Sequence, residues 1–488
     1  MIKTKKIIYI MIATLLVASC GDDFVDVEAP FENSDAFFNS QQDYEDALIG
    51  AYDLLQTTYI NVMLGEIASD NTLAGGENAN DVLGIQEIDD MRHTPINQQL
   101  VDIWGWMYSG VNRANFILEF QDKTDFPGKE NILAQARFLR AYYYFELVKW
   151  FGDVPLVVDK RILFGEQFGL ERTAKAEVYA QIEADLIYAV DNMPYVQPIV
   201  GQATKGSAQA LLGKVYLYQD KFDLAAPVLE NLIQNGPYDL VTDYSTLFEN
   251  DNENNVESVF EVQYTDEEGA GFGCLQCSEG NIAVGFNGIR NYNGPVFESG
   301  FSFNVPTQEV VDEFEDGDNR LDTAILDIEA WAADTGATFA TGFEHTGYFN
   351  RKYIARQGDA NTGDANLTNP NNYRAIRFAD VLLMAAEALN RGNIDDTRAQ
   401  GYVNRVRERA FGNADNNITL TATNLTTAIY NERRVELVGE GHHFFDLVRT
   451  GRAANEIDGF QSGKHEIFPI PQLEIDLAGG IWEQNPGY

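Results

Sequence analysis

The stretch QARFLRAYYYFELVKWFGDVP, residues 135–155, decides the fold. From Phe138 its apolar side chains recur at i, i+3, i+4, i+7 and i+10, which is the spacing of one helix face. Arg137 and Arg140 fall on a second face, which is too polar and too bulky for a plain solvent-facing surface. The closing GDVP ends the helix, because proline pushes the residue before it towards an extended conformation.

The composition predicts one large folded body. The chain has 488 residues, 45% of them hydrophobic and 12% aromatic, and no Pro-rich, Ser-rich or charged run marks a linker. The formal net charge is -41, with 34 basic and 75 acidic residues. Such a surface repels phosphate backbones, which argues against nucleic-acid binding, and it disfavours a strongly anionic polysaccharide. Solubility in a salty medium is the simplest explanation of the charge.

Residues 1–19 have the composition of a lipoprotein signal peptide. A basic start precedes an apolar run over residues 7–17, which is too short to span a bilayer. The run ends in LVASC, which resembles a bacterial lipobox, so cleavage would leave Cys20 as a lipidated N-terminus. Residues 20–40 form the predicted tether, and its GDDF at 21–24 resembles the surface-export signals of Bacteroidetes lipoproteins. An ordinary secretory signal with an accidental cysteine is the alternative.

Apolar periodicity predicts a mostly α fold. The helix pair over residues 204–235 has the spacing and residue types of a tetratricopeptide repeat, whose apolar face must be covered by stacked neighbours. Residues 60–98 lose the periodicity and contain a Gly- and Asn-rich segment, which predicts a long loop. Further helices are expected from residue 42 and over 103–120, 131–150, 173–191, 375–391 and 397–410.

These elements predict a single domain over residues 41–488. Residues 41–235 and 371–488 form its tetratricopeptide-like helical scaffold, with few short strands. Between them, 236–370 alternates short apolar stretches with Gly- and Asn-rich segments, which predicts a loop-rich, ligand-binding insertion.

A set of motifs along the chain shares one resemblance. They are the 135–155 helix, YRAIRFADVLLMAAEALN at 373–390, ERRVELVGEGHHFFDLVRTGR at 432–452, FPIP at 468–471 and the terminal QNPGY at 484–488. Together they resemble the SusD/RagB family of outer-membrane nutrient-binding lipoproteins over essentially the whole mature chain. His443 stands where this family commonly has arginine, which puts in doubt an ion pair expected there.

Enzymatic and metal-binding motifs are missing from the sequence. It contains no His-Glu-x-x-His, no Gly-x-Ser-x-Gly and no phosphate-cradling glycine loop. His442 and His443 are adjacent, and adjacent helix residues point in different directions, so they do not form a chelating pair. FEDGDNR at 314–320 lacks the alternating ligands of a calcium loop and is predicted to be structural. We therefore predict no enzyme, no cofactor and no metal site, although counting carboxylates cannot exclude a glycosidase pair.

Cys274 and Cys277 form a Cys-x-x-Cys in the insertion. Outside the cytoplasm, a local disulfide that stiffens the loop at 269–280 is one interpretation. Zinc binding is the other, although a single pair without a second ligand pair is a weak signal for it.

The resemblance implies a lipid-anchored protein of the outer membrane that faces the outside of the cell. It would bind an oligosaccharide or polysaccharide and deliver it to a TonB-dependent transporter of the SusC type. The alternative is a peptide- or protein-binding adaptor for peptide uptake, because tetratricopeptide arrays usually hold peptides in their concave face.

Sugar rings stack their apolar faces on aromatic side chains, while amides, carboxylates and guanidinium groups bind their hydroxyls. Loop composition, rather than a family motif, therefore selects the candidate platform. Trp331 is the first choice and Tyr292 the second, with Phe272 and Tyr264 among the other loop aromatics. The candidate glycan-binding residues are Trp331, Tyr292, Arg290, Asn291, Phe286 and Tyr348.

Overall fold

The long helix predicted at 135–155 lies at the centre of the scaffold. The computed structural model describes residues 37–163, 165–269, 271–359 and 366–488. Cys20 and the signal segment 1–19 therefore lie outside the described residues. The described chain starts beside the core, since Phe38 is buried against the ring of Tyr44.

The helices fall into two long runs separated by shorter elements. They are α1 (Gln41–Asp53), α2 (Tyr59–Ile67), α3 (Leu83–Asp89), α4 (Gln98–Glu119), α5 (Lys129–Phe151), α6 (Lys175–Asn192), α7 (Lys205–Leu217), α8 (Phe222–Asn235), α9 (Ala283–Asn287), α10 (Gln308–Asp312), α11 (Leu321–Ala324), α12 (Ile328–Thr335), α13 (Phe378–Arg391), α14 (Asp396–Phe411), α15 (Ala422–Leu437), α16 (His443–Arg449), α17 (Ala453–Glu456) and α18 (Gln472–Leu477).

Each long helix packs on the next, which is the arrangement of a tetratricopeptide-like array. Helix α5 packs between α4 and α6, α6 packs on α7, and α7 packs on α8. Helix α8 then packs on α13, which packs on α14 and α15. The array thus continues from α8 to α13 across all the residues that separate them in the chain. The mostly α fold with a helical repeat scaffold is confirmed.

Helix α5 is buried on nearly every side, as a helix surrounded by neighbours must be. It ends at Gly152, whose φ of 73° places it in the left-handed region that glycine adopts without strain.

The two arginines of α5 join it to its neighbours. Arg140 donates from Nε and Nη2 to the carboxylate of Asp185 on α6, at 2.8 and 2.7 Å, and from Nη1 to Asn115 on α4 at 2.9 Å. The guanidinium of Arg137 lies 4.5 Å from the ring centre of Tyr188. The polar face of α5 therefore holds neighbouring helices of the scaffold together.

Short strands tie the insertion to the scaffold. In the described residues they are β1 (Thr72–Ala74), β2 (Ser258–Val262), β3 (Ile289–Arg290), β4 (Ser299–Gly300), β5 (Asn304–Pro306), β6 (Ile325–Asp327), β7 (Tyr348–Asn350) and β8 (Tyr373–Arg377). Strands β2 and β8 pair antiparallel and so bring the two ends of the insertion together. Strand β1 pairs antiparallel with β5, β6 pairs antiparallel with β7, and β3 pairs parallel with β4.

Two predicted elements differ from the structure. Residues 60–98 are not one long loop, because they contain most of α2, β1 and α3; these elements are too short for a clear periodicity. The helix expected over 375–391 starts only at Phe378, because residues 375–377 belong to β8. Pairing with the distant β2 overrides local helix propensity there. No helix of the described ranges is long and apolar enough to cross a membrane.

Candidate functional site

The segment that follows β1 and the insertion meet at one face of the molecule. The segment after β1 is held against the insertion by backbone hydrogen bonds. Gly75 N donates to Phe303 O at 3.1 Å, Gly76 N donates to Ser302 O at 2.7 Å, and Phe343 N donates to Gly76 O at 2.9 Å. Segments far apart in sequence thereby form one surface.

Phe272 is the most exposed aromatic side chain at this face, with 61% of its surface accessible. Its ring centre lies 5.8 Å from that of Phe301, which in turn lies 5.7 Å from that of Phe286. Cys274 and Cys277 are joined by a disulfide within the same loop, which confirms the first interpretation of this pair. The exposed ring thus lies two residues before a segment closed by a disulfide and packs on the half-buried Phe301, which packs on the buried Phe286.

Polar groups lie near Phe301, on which the Phe272 ring packs. Arg290 donates from Nη2 to Phe301 O at 2.8 Å and faces Asp81 at 3.4 Å. Asn291 follows Arg290 and is exposed. We call Phe272, Phe301, Arg290, Asn291 and Asp81 the aromatic rim. It combines one exposed apolar ring with a guanidinium, an amide and a carboxylate, which are groups that can bind hydroxyls.

Trp331 and Tyr292, the first two choices from the sequence, contact each other. Trp331 lies on α12 rather than in a loop. Its Nε1 donates to Tyr292 Oη at 2.8 Å, and Tyr292 Oη donates to Pro295 O at 2.7 Å. The Trp331 ring also packs on Phe297 at 5.3 Å. Tyr292 is only 8% exposed, whereas Trp331 is half-buried. Only the indole could therefore meet a ligand directly.

The other candidate residues occupy different places. Phe286 is 7% exposed and supports Phe301 from beneath. Tyr348 lies on β7, where Oη donates to Gln308 Oε1 at 2.8 Å. It packs on the small apolar cluster around Val310, apart from the cluster that contains Tyr292. The structure thus brings together Arg290, Asn291 and Phe286 around the rim and places Tyr348 in a separate cluster.

A wide groove adjoins the segment after β1. Its volume is about 1230 Å³, and Phe343 and Gln308 line it. Its two cations are already paired, Arg92 with Asp90 and Arg434 with Asp70. The other charged groups that line it are all acidic: Asp89, Glu309, Asp312, Glu313, Glu344, Glu456 and Asp458.

The acidic lining favours a ligand without negative charge. Carboxylates accept hydrogen bonds from hydroxyl groups and repel anions. Burial raises the pKa of the Asp89 carboxyl to about 7, so this group is partly protonated, and therefore partly neutral, near neutral pH. The described residues contain no cluster of three or more side chains arranged to hold a metal ion.

The two adjacent histidines have structural partners. His443 Nε2 lies 2.9 Å from Asp70 Oδ1, so a polar contact exists at the position where arginine is common. His442 Nδ1 lies 3.2 Å from Lys214 Nζ, and burial lowers the pKa of His442 to about 3.

Sequence reasoning did not select Phe272, Phe301 or Asp81. Phe272 belongs to the loop aromatics, and its flanking glycines and nearby cysteine pair were an available signal of an exposed, stiffened tip. Phe301 and Asp81 carried no such signal, because their places depend on contacts between distant segments.

Known families and proteins that are similar to this chain point to one family along most of its length. Residues 247–466 match the family model described as SusD family, and residues 23–217 match the one described as starch-binding associating with outer membrane. SusD-like protein P2 of Formosa agariphila is 28% identical over 100% of both chains.

Solved structures of similar proteins extend this agreement to the fold. A laminarin binding SusD-like protein is 35% identical, with a TM-score of 0.84 over 92% of this chain and 100% of that one. The surface glycan-binding protein A from Bacteroides thetaiotaomicron, in complex with laminarihexaose, is 27% identical, with a TM-score of 0.81 over 91% of this chain and 99% of that one.

Proposed function

The chain belongs to the SusD family, and on that premise we propose that it binds a neutral oligosaccharide or polysaccharide at the cell surface. It then delivers the glycan to a TonB-dependent outer-membrane transporter of the SusC type. The protein does not cleave the glycan, and uptake is driven by the transporter.

The observation that carries the proposal is the likeness to glycan-binding proteins of the same family. The laminarin binding SusD-like protein matches 92% of this chain at 35% identity, and a second similar structure holds laminarihexaose. Laminarin, a neutral glucan, is therefore the first ligand to test. An uncharged chain also suits a protein with a net charge of -41 and an acidic groove beside its aromatic rim.

We propose the aromatic rim as the contact surface for the glycan. Phe272 offers an exposed ring, while Arg290 and Asn291 lie beside its support. Trp331 stays part of the proposal as a second ring, because its indole is half-buried and is oriented by the hydrogen bond to Tyr292. Rings held in place before binding lose little entropy when a sugar stacks on them.

The lipid anchor and the outward orientation are further parts of the proposal. The match to a family described as associating with outer membrane supports the location. The lipobox-like residues 16–20 support acylation of Cys20, which would hold the protein at the membrane by several acyl chains. Mass spectrometry of the N-terminal peptide from membrane-extracted protein tests this point.

Affinity electrophoresis of the mature chain with Cys20→Ser tests glycan binding. We expect laminarin in the gel to retard the protein and a sulfated glucan to leave its migration unchanged. Phe272→Ala should reduce the retardation strongly and Trp331→Ala less so. Leu224→Ala is the matched control, because Leu224 is an apolar residue that is 43% exposed on α8 of the helical scaffold. Incubation with laminarin should release no reducing sugar.

Different outcomes would separate the function from the site. Free migration of the unsubstituted protein through gels of every neutral polysaccharide would contradict glycan capture. Retardation that survives both aromatic substitutions would keep the function and reject this rim as its site.

A further inference from the structure

A pocket lined by aromatic side chains lies on the helical scaffold, away from the insertion. Its volume is about 300 Å³, at the lower end of the range for small-molecule sites. One face of α4 forms its floor with Trp104, Gly105 and Tyr108, and the C-terminal segment forms a wall with Glu474 and Trp482. Leu163 stands at the edge, where it is largely exposed.

Three aromatic rings of this pocket have their polar atoms occupied. Trp482 Nε1 donates to Leu170 O at 2.7 Å, and Tyr108 Oη donates to Pro155 O at 2.8 Å. The Trp104 ring lies 5.0 Å from that of Tyr108 and 6.0 Å from that of Trp482, tilted by 48° and 52°. The rings of Tyr108 and Trp482 are therefore fixed and half-buried, so they offer a ligand apolar ring surface, whereas Trp104 is only 3% exposed and closes the floor behind them.

Glu474 supplies a polar group at the same wall. It is half-buried, and burial raises the pKa of its carboxyl. The hydrogen bond from the Trp104 side chain lowers this pKa, but by less. A carboxyl that holds its charge less firmly suits hydroxyl groups better than a cation, because it can accept a hydrogen bond and, when protonated, donate one.

Gly105 keeps the floor of this pocket open. It lies in the middle of α4, where glycine costs about 1 kcal/mol relative to alanine. A Cβ built at this position would meet no atom within 4 Å, so packing does not require glycine there. Because Gly105 lines the cavity, any larger side chain would instead take up space that a ligand could fill.

We propose that this pocket is a second saccharide subsite, which binds one or two hexosyl units against Tyr108 and Trp482, above the floor formed by Trp104, with Glu474 binding their hydroxyl groups. The choice of a neutral sugar rests on the proposed function, whereas the pocket itself does not. A glycan held at both places would contact the protein at two separated points, which raises the apparent affinity of a long chain over that of a short one.

Fluorine NMR of the mature chain labelled with 5-fluorotryptophan tests this inference. The chain has 5 tryptophans, and single Trp→Phe variants would assign their signals. With laminaribiose at millimolar concentration, we expect the signals of Trp104 and Trp482 to shift together and to saturate. The signal of Trp150, which is fully buried in the core, should stay in place and also report that each variant is folded.

Two substitutions make the result specific. Gly105→Leu should abolish the shift of the Trp104 and Trp482 signals, while Gly401→Leu is the matched control, since Gly401 is also a helical glycine with no atom within 4 Å of a built Cβ. Trp482→Ala should weaken the binding reported by Trp104 by about tenfold.

Three outcomes would overturn the subsite. They are an unchanged pair of signals, a shift of the Trp331 signal alone, and a shift caused by glycine betaine but not by the disaccharide, which would indicate a cage for quaternary ammonium groups. Polysaccharide retention tests the proposed function separately. Retention of laminarin with silent pocket signals rejects only the subsite, and a pocket response without retention rejects only the proposed function.

Discussion

Two regions of the molecule use their polar groups in opposite ways. We call the first the charged joint; it consists of Arg320 and Lys352 of the insertion, Arg377 of β8, and Glu436 and Glu440 at the end of α15. All five are buried and paired. In the aromatic rim, by contrast, Phe272 and Asn291 are exposed and Arg290 is only partly buried.

Arg377 shows how complete the pairing is in the charged joint. Its guanidinium donates to Glu440 from Nε at 2.8 Å, to Glu257 from Nη1 at 2.6 Å and to Glu436 from Nη1 at 2.8 Å. Burial on its own would raise the pKa of Glu436, but the guanidinium groups of Arg409 and Arg377 lower it. The difference teaches that buried charge in this protein is mainly structural, whereas the glycan contact proposed above would use the sparse polar groups near an exposed ring.

The largest expected effect comes from breaking the charged joint. Arg377→Met leaves three carboxylates buried without their shared cation, so we expect the free energy of unfolding to fall by about 3–5 kcal/mol. Urea denaturation would measure it. Arg398→Met, which removes a surface pair with Glu230, should lower the free energy of unfolding far less. Equal losses for the two variants would contradict the distinction between buried and surface charge.

Mild acid should reveal how much a buried histidine, as distinct from the charged joint, contributes to the pH dependence of stability. Burial lowers the pKa of His93 to about 3, while the unfolded chain has a histidine pKa of about 6.5. Below the unfolded pKa, protons bind the unfolded state first, so this residue costs about 1.4 kcal/mol of stability per pH unit down to about pH 3. As the pH falls from about 6 to about 4, the free energy of unfolding of His93→Gln should therefore rise at that rate relative to that of the unsubstituted protein. Urea denaturation at several pH values would measure it.

Tyr488→Phe is the control for this pH effect. It removes the contact of 2.7 Å between Tyr488 Oη and His93 Nε2 but keeps the buried imidazole. Its unfolding free energy should follow the same pH dependence as that of the unsubstituted protein. If the stability of His93→Gln falls with pH as steeply as that of the unsubstituted protein, His93 does not contribute to the slope.

At the aromatic rim the expected effect is on binding and not on folding. Phe272→Ala should weaken laminarin binding by about tenfold, because it removes the exposed ring on which a sugar would stack. Its unfolding free energy should change by about 0.5 kcal/mol or less, as for most surface substitutions. Isothermal titration calorimetry and urea denaturation of one preparation would measure both. A stability loss as large as the binding loss would make Phe272 a packing residue.

The smallest expected effect belongs to the disulfide. Cys274→Ser with Cys277→Ser should weaken laminarin binding by only about two- to fivefold, because it lets the Phe272 loop move before binding but keeps the ring. Binding titrations with and without a reductant would check this, since reductant should change the affinity of the unsubstituted protein and not that of the double variant. A loss as great as that of Phe272→Ala would indicate that the disulfide itself shapes the surface.

Local patterns were sufficient for the scaffold. The spacing of apolar residues predicted α5 and the α7–α8 pair, and α7 begins directly after Thr204, where the pair was expected to start. FEDGDNR at 314–320 was correctly predicted to be structural, since Arg320 of this motif binds Asp318 and Glu432. These features depend on neighbours within a few residues or on motifs that the family shares.

The site could not be derived in the same way. Trp331, Tyr292 and Phe286 look like loop aromatics in the sequence, yet Tyr292 and Phe286 are buried and Trp331 lies on a helix. Phe272, in a similar polar loop, is the ring that stays exposed. Short irregular segments have no periodicity that would tell an inward side chain from an outward one.

The sequence by itself determined the helical repeat, the family, the cysteine pair and a charge that disfavours anionic ligands, because composition and spacing carry that information. Only the tertiary structure decided which aromatic rings face solvent and which charges neutralise each other. Arg377 and Glu257 are 120 residues apart, and the rim joins Asp81 to Arg290 across 209 residues. Exposure and pairing are set by what packs alongside a residue, and in this fold that neighbour comes from a distant part of the chain.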